Sequence, residues 1–165
     1  MKLGVSTACL YPEVPEIALD HLIAGGIRFF EIFLNTVSEV KPDFVRGLKS
    51  RLDSCGGEVR SIHPFTSGFE TMMLFSDYRR RFLDALELHR YYFEAANILG
   101  ASIFVLHGER DYRRRRITEQ EYLERYAKLY ELGKSFGITV AQENVNLFRS
   151  EDPAFIRRMR DTLGD

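Results

Sequence analysis

The sequence predicts an α/β protein in which parallel strands alternate with helices, built as the first five βα units of a TIM-type barrel. Five times, a short β-branched or aromatic run is followed by a polar loop and then by a segment with helical periodicity. Glycine precedes each predicted strand after the first, where the preceding helix needs a C-cap. The Gly-rich loops that hold phosphates in open doubly wound sheets are missing, so a barrel is the better prediction.

The predicted elements follow one another in regular order. Strands are expected at residues 3–6, 28–33, 58–62, 102–106 and 139–142. Helices are expected at residues 14–24, 43–54, 77–99, 119–136 and 153–163. Thr118 and Asp152 are predicted N-caps of the last two helices. In the third helix one apolar stripe is expected to be buried, made of Phe82, Leu83, Leu86, Tyr92, Phe93, Ala96 and Leu99.

The length of the chain limits how much of a barrel it can build. Its 165 residues are enough for one domain with a substantial core. A complete eight-unit barrel needs roughly 200 residues or more. We therefore expect an incomplete barrel, with residues 1–165 forming the N-terminal part of a single domain. The closing Leu163-Gly164-Asp165 resembles a helix C-cap with a sixth strand expected next, so truncation at Asp165 is predicted.

Composition and charge narrow the classes of function. The formal net charge is −1, so nucleic acid is not the expected partner. No apolar stretch approaches the roughly 20 residues of a membrane span, and the N-terminus lacks a secretion signal. Cys9 and Cys55 have no CxxC spacing, which argues against a disulfide framework or a structural zinc site. These observations predict a cytoplasmic protein without a membrane partner.

Polar side chains stand where the last three predicted strands end. The phrases SIHPF, FVLHGER and VAQENVN place His63, His107 and Glu143 at equivalent positions. Because the βα loops of a barrel gather at the carboxyl ends of its strands, these side chains are expected to share one site. Imidazole and carboxylate together suit a divalent ion such as zinc, manganese or iron. The sequence therefore predicts that the three residues hold one metal ion.

Other polar residues are weaker candidates. Glu31 lies in the second strand, where it either points into the barrel or pairs with a neighbouring strand. Arg113 and Arg114 belong to a run of four arginines after the fourth strand. Such a run is usually a solvated face, but beside an active-site mouth it is able to clamp a phosphate or carboxylate of the substrate. His21 and His89 lie within predicted helices, where surface or packing roles are expected.

These phrases, with the opening LGVSTACLYP and the second-strand phrase GIRFFEIFLN, resemble the xylose-isomerase-like TIM-barrel superfamily. That family contains sugar and sugar-phosphate isomerases and epimerases, and apurinic-site endonucleases of the endonuclease IV type. The resemblance implies that Glu143 is a metal ligand close to the reacting carbons and that His107 binds metal or positions the substrate. It implies that His63 contacts the substrate or binds metal, and that Asn144 and Asn146 help to bind substrate. The remaining family ligands, from the sixth to eighth strands, would lie beyond residue 165.

One position departs from the family pattern. Many ketose epimerases carry a second glutamate six residues after the fifth-strand ligand. This chain has Arg149 at that position. The departure puts sugar 3-epimerase activity in doubt.

The resemblance implies a metal-dependent isomerase or epimerase acting on a sugar or sugar phosphate. The ion (Mn, Zn, Mg or Co) would polarise a carbonyl of the substrate and stabilise an enediolate, while a carboxylate moves a proton between neighbouring carbons. Glu143 and His63 are the expected catalytic residues. Without the later ligands, the chain alone is expected to be inactive. Two alternatives stay open: an endonuclease IV-like hydrolase of abasic DNA, and a non-catalytic module that buries open sheet edges in a homo-oligomer.

Overall fold

The computed structural model describes residues 3–65, 68–110 and 117–164. Its centre is a five-stranded sheet whose spatial order, β1-β2-β3-β4-β5, follows the chain, and all neighbouring pairs are parallel. The strands are β1 (Val5–Ser6), β2 (Phe29–Leu34), β3 (Glu58–Pro64), β4 (Ile103–Leu106) and β5 (Thr139–Gln142). Such a sequential parallel order is that of a βα barrel, which confirms the predicted fold class.

Helices connect the strands. They are α1 (Pro15–Ala24), α2 (Pro42–Cys55), α3 (Phe69–Met73), α4 (Arg79–Leu99), α5 (Glu119–Ser135) and α6 (Pro153–Leu163). Two short 3-10 helices, Thr7–Leu10 and Arg149–Glu151, lie in the loops after β1 and β5. All five strands, and every α-helix except the five-residue α3, were predictable from the sequence. No helix among the described residues is long and apolar enough to span a membrane.

The predicted helix caps are present. Thr118 Oγ1 accepts a hydrogen bond of 3.1 Å from the backbone N–H of Glu121 at the start of α5. Asp152 Oδ1 accepts one of 2.9 Å from the N–H of Ala154 at the start of α6. Gly100 ends α4 with φ +78°, a left-handed conformation that side chains other than glycine adopt with difficulty. These local signals explain why the helix boundaries were predictable.

The two faces of the sheet differ in environment. One face packs against the helices and is almost fully buried; we call it the outer face, and it consists of Phe30, Ile32, Leu34, Ile62, Phe104, Leu106 and Val140. The opposite, inner face is half-buried or exposed and includes Phe29, Glu31, Phe33, Ser61, Ile103, Val105 and Ala141. Since side chains alternate along a strand, the residues that follow β4 and β5 continue the inner face.

The buried stripe of α4 differs from the predicted one at one position. Leu83 is 49% exposed, so its predicted burial was wrong. The buried positions of this helix include Ala85 and His89 instead. They are separated from Phe82 by three and seven residues, which places all of them on one helical face, whereas Leu83 is rotated by one residue, about 100°, away from Phe82.

Candidate metal centre

Three strands bring His63, His107 and Glu143 together on the inner face. His63 is the second-last residue of β3, and the other two directly follow β4 and β5. Leu106 pairs with Gln142 in the parallel register, so His107 and Glu143 emerge side by side. The backbone N–H of Glu143 donates to the carbonyl of Leu106 over 2.8 Å, which extends the strand pairing to the site.

The potential ligand atoms of the cluster converge on one point. His63 Nε2 lies 3.0 Å from His107 Nε2 and 3.4 Å from Glu143 Oε2. His107 Nε2 lies 2.7 Å from the same carboxylate oxygen. Ligand atoms around a four-coordinate ion with bonds of about 2.1 Å are separated by about 3.4 Å. Two nitrogens and one oxygen at these separations could hold a divalent metal ion.

The proton arrangement on His63 suits metal binding. Its Nδ1 lies 2.9 Å from the carbonyl oxygen of Pro64. A carbonyl only accepts hydrogen bonds, so Nδ1 carries the proton and Nε2 presents a lone pair to the cluster. Metal-binding histidines commonly donate their second N–H to a carbonyl in this way.

Burial favours the neutral form of His107. Loss of solvation, reinforced by the neighbouring His63 ring, lowers the pKa of His107 below its ordinary value of 6.5, although the Glu143 carboxylate acts in the opposite direction. At neutral pH this ring is therefore uncharged. Two electron-rich atoms, from His63 and Glu143, face His107 Nε2. A proton or a cation between them is needed to relieve their repulsion.

Aromatic rings and the next loop hold the two imidazoles in place. The ring of Phe33 makes an edge contact with His63 at 5.6 Å, and that of Phe148 makes one with His107 at 5.1 Å. Phe148 forms an isolated antiparallel bridge with Arg110, which joins the loops that follow β4 and β5. The imidazole side chains are largely buried, whereas Glu143 is 47% exposed. Its carboxylate therefore lies at the accessible edge of the cluster.

Gln142 supports the cluster from the outer side, a role that is not predicted by the sequence pattern. Its Nε2 donates to the carbonyls of Leu106 and His107 over 3.0 and 2.8 Å. The hydroxyl of Tyr122, on α5, donates to Gln142 Oε1 over 2.6 Å. A strand-end glutamine is the only sequence signal for this arrangement, because the partner tyrosine lies 20 residues away.

The other predicted site residues lie in different surroundings. Glu31 is on the inner face and accepts a 2.8 Å hydrogen bond from Ser61 Oγ on the neighbouring strand. It precedes Phe33 by two residues on β2, and Phe33 pairs with His63 in the sheet, so Glu31 lies near the cluster. The Asn144 amide nitrogen donates to carbonyls of its own loop, those of Ser150 and Glu151. Asn146 is exposed. Arg113 and Arg114 lie outside the described residues.

Arg149 is part of a buried ion pair. Its guanidinium donates to the carboxylate of Glu109 and, over 2.9 Å, to the carbonyl of Ile117. Both charged side chains are only 2% exposed. The backbone N–H of Arg149 also donates to the Glu109 carbonyl over 2.8 Å. Arg149 therefore ties together the loops that follow β4 and β5, and its side chain is withdrawn from the accessible edge of the cluster.

Glu70, on the unpredicted helix α3, lies beneath the loop that follows β4. Its Oε2 accepts a 2.7 Å hydrogen bond from the backbone N–H of Gly108. Complete burial raises the pKa of Glu70 to about 8, although the backbone donors Gly108 and His107 oppose the shift. At neutral pH the side chain is mainly an uncharged acid, which reduces the cost of burying it.

No protein-family model and no curated protein matches this sequence. Solved structures match over nearly the whole chain. A D-tagatose 3-epimerase-like protein is 16% identical. The match covers 96% of this chain and 60% of that protein, with a TM-score of 0.78. A D-allulose 3-epimerase from Methylomonas sp., solved with D-allulose, is 16% identical. The match covers 99% of this chain and 59% of that protein, with a TM-score of 0.76. A xylose isomerase domain protein from Planctomyces limnophilus is 12% identical. The match covers 100% of this chain and 60% of that protein, with a TM-score of 0.70.

These likenesses define the class of fold. The chain forms part of a parallel βα barrel and spans about 60% of the length of the solved structures it matches. Its fold is that of the xylose-isomerase-like TIM barrels, as the sequence phrases had predicted.

Proposed function

We propose that the chain is part of a divalent-metal-dependent isomerase or epimerase acting on a sugar or sugar phosphate. The observation that supports this most strongly is the convergence of His63, His107 and Glu143 at the carboxyl ends of three parallel strands. In barrels of this kind the active site lies at that end of the strands. The sugar epimerases among the structural matches supply the substrate class for the proposal.

Each residue of the cluster has a proposed role, and the two histidines share one. His63 and His107 would hold the ion through their Nε2 atoms, since His63 has its proton on Nδ1 and His107 is neutral. The bound ion would supply Lewis-acid polarisation of a substrate carbonyl. Glu143 would bind the ion through Oε2 and would use its second carboxylate oxygen to move a proton between neighbouring substrate carbons. Its exposure at the edge of the cluster gives a substrate access to this oxygen.

The inner face beside the cluster suits a polyol. Glu31 and Ser61 together present a carboxylate and a hydroxyl to the half-exposed face. Such groups exchange hydrogen bonds with sugar hydroxyls. Asn144, Asn146, Arg113 and Arg114 remain proposed substrate contacts, the arginines for a phosphate. Because the chain spans about 60% of its structural matches, we propose that it binds the ion without turnover.

The first experiment measures metal-dependent stabilisation of the protein. Thermal unfolding is recorded with Mn²⁺, Zn²⁺, Mg²⁺ or Co²⁺ for the parent and for a His63→Ala, His107→Ala, Glu143→Ala triple variant. The matched control is His21→Ala, Glu94→Ala, which removes an exposed histidine and an exposed glutamate away from the cluster. An ion at 100 times its Kd stabilises a folded protein by about 2.7 kcal/mol.

The expected result is that at least one ion raises the Tm of the parent and of the control but leaves that of the triple variant unchanged. Equal stabilisation of all three proteins would place the ion elsewhere and contradict the proposal. The absence of stabilisation by all four ions would also contradict it. Cleavage of an abasic DNA duplex by the parent would favour the hydrolase alternative instead.

A further inference from the structure

The short helix α3 contains two polar side chains that are buried almost completely. Glu70 is 1% exposed and Thr71 is 0% exposed. Burying a carboxyl or a hydroxyl group is costly unless the group is hydrogen-bonded. The partners of these two side chains therefore indicate what α3 does in the molecule.

Both side chains bond to the backbone immediately after His107. Glu70 Oε2 accepts from the N–H of Gly108 over 2.7 Å. Thr71 Oγ1 accepts from the N–H of Arg110 over 2.7 Å and lies 3.4 Å from the carbonyl of Gly108, to which it donates. These bonds join segments separated by 37 to 39 residues. Helix α3 thus acts as a clamp on residues 108–110.

The clamped turn has little freedom to rearrange. Gly108 has φ +91°, and a Cβ at this position would lie 2.1 Å from the Tyr122 hydroxyl oxygen. The carbonyl of His107, just before it, accepts hydrogen bonds from Gln142 Nε2 and Ser150 Oγ over 2.8 and 3.3 Å. The peptide that follows His107 is therefore held by α3 on its N–H side and by the β5 loop on its carbonyl side.

His107 needs such support more than His63 does. His63 is a paired residue of β3, in register with Phe33. His107 lies one residue beyond the end of β4, past Leu106, the last residue of this strand that is paired in register with β5. Its orientation consequently depends on the turn that follows it.

We propose that Glu70 and Thr71 are positioning residues, which hold His107 Nε2 in the metal cluster by fixing the backbone of residues 108–110. The importance of this role for catalysis rests on the proposed function, but the effect on His107 itself does not. Both side chains bond to backbone groups of the chain and not to the imidazole or carboxylate groups of the cluster. Loss of support behind a metal ligand typically weakens metal binding by about 10- to 100-fold.

The test combines a metal-free and a metal-binding measurement on three variants and one control. Glu70→Ala removes the acceptor for Gly108, and Glu70→Gln keeps an acceptor oxygen at this position. Thr71→Val preserves the shape of the side chain but removes the acceptor for Arg110. Glu94→Ala, an exposed glutamate on the next helix, is the control. NMR records the Gly108 amide and the imidazole nitrogens of His63 and His107, and Co²⁺ titration records affinity and the absorption spectrum.

We expect Glu70→Ala and Thr71→Val to shift the His107 nitrogens, with smaller changes at His63, and to weaken Co²⁺ binding by about tenfold or more. Glu70→Gln is expected to restore most of both signals. Unchanged His107 resonances in folded Glu70→Ala and Thr71→Val would overturn the proposal. If Glu70→Ala does not fold, the His107 resonances of Thr71→Val decide whether the proposal holds. If the parent binds no Co²⁺ the proposed metal site fails, whereas the metal-free NMR comparison still decides whether α3 positions His107.

Discussion

The outer and inner faces of the sheet are built from alternating residues of the same strands, yet they have different tasks. On β4, Phe104 is fully buried against α4, whereas its neighbour Ile103 on the inner face is 37% exposed. The cluster of His63, His107 and Glu143 continues the inner face, and none of its three residues takes part in the packed outer face. This separation implies that the outer face determines stability and that the inner face remains available for a ligand.

The largest expected effect comes from removing an outer-face ring. Phe104 contacts the rings of Tyr92 and Phe93 with centroid distances of 5.9 and 5.3 Å. Phe104→Ala would leave a cavity between the sheet and α4, and we expect it to lower the free energy of unfolding by about 3–5 kcal/mol. Urea denaturation followed by circular dichroism measures this loss.

Ile103→Ala is the control on the opposite face of the same strand. Because Ile103 is partly exposed already, its truncation removes less surface from a packed environment, and we expect a loss of about 1 kcal/mol or less. Equal losses in the free energy of unfolding for Phe104→Ala and Ile103→Ala would contradict the conclusion that the outer face determines stability.

A smaller effect is expected from pH, through a histidine packed beneath the outer face. His89 is fully buried beside Phe104, and its Nδ1 donates to the carbonyl of Ala85 over 2.6 Å. Burial lowers the pKa of His89 from 6.5 to about 4. Between these two pH values the unfolded chain binds a proton that the folded chain resists, so stability falls as the pH falls through this window. The full effect is about 3 kcal/mol.

Urea denaturation at several pH values between about 7 and 4 measures the effect of His89. His89→Leu removes the ionisable group while keeping an apolar side chain at the same place. Its stability is expected to fall less steeply with decreasing pH than that of the parent, since only the contributions of the other groups remain. Parallel pH profiles would mean that His89 is protonated equally easily in both states.

Most of the fold was predictable because its signals are local. The alternation in FFEIFL indicated β2 and its two faces, and the caps Thr118 and Asp152 marked the helix starts. Helix α3 was missed because it has only five residues, too few to show a helical period. Its N-cap is Gly68, which has no side chain to form the capping hydrogen bond that marks a helix start. The predicted stripe on α4 wrongly included Leu83, because this residue is as apolar as the buried residues beside it.

The candidate site was predictable only as far as topology determines it. Parallel strands end at one edge of a sheet, so His63, His107 and Glu143 were expected to meet there. The support of the cluster was not predictable, because it consists of side-chain bonds to distant backbone groups, such as Glu70 to Gly108 across 38 residues. The sequence around a buried glutamate does not predict which distant peptide group its carboxyl group contacts.

The smallest and most selective test uses one substitution on both faces. Val140 on β5 is 2% exposed on the outer face, and Val105 on β4 is half-buried on the inner face. Valine and threonine have nearly the same shape, so Val→Thr adds only a hydroxyl group to be solvated. We expect Val140→Thr to cost about 1–3 kcal/mol, because its hydroxyl would be buried against the helices, and Val105→Thr to change stability by about 0.5 kcal/mol or less. The two urea midpoints would measure the difference. A cost for Val105→Thr as large as that for Val140→Thr would mean that the inner face is covered in solution, and self-association measured by light scattering would then identify a second copy as the cover.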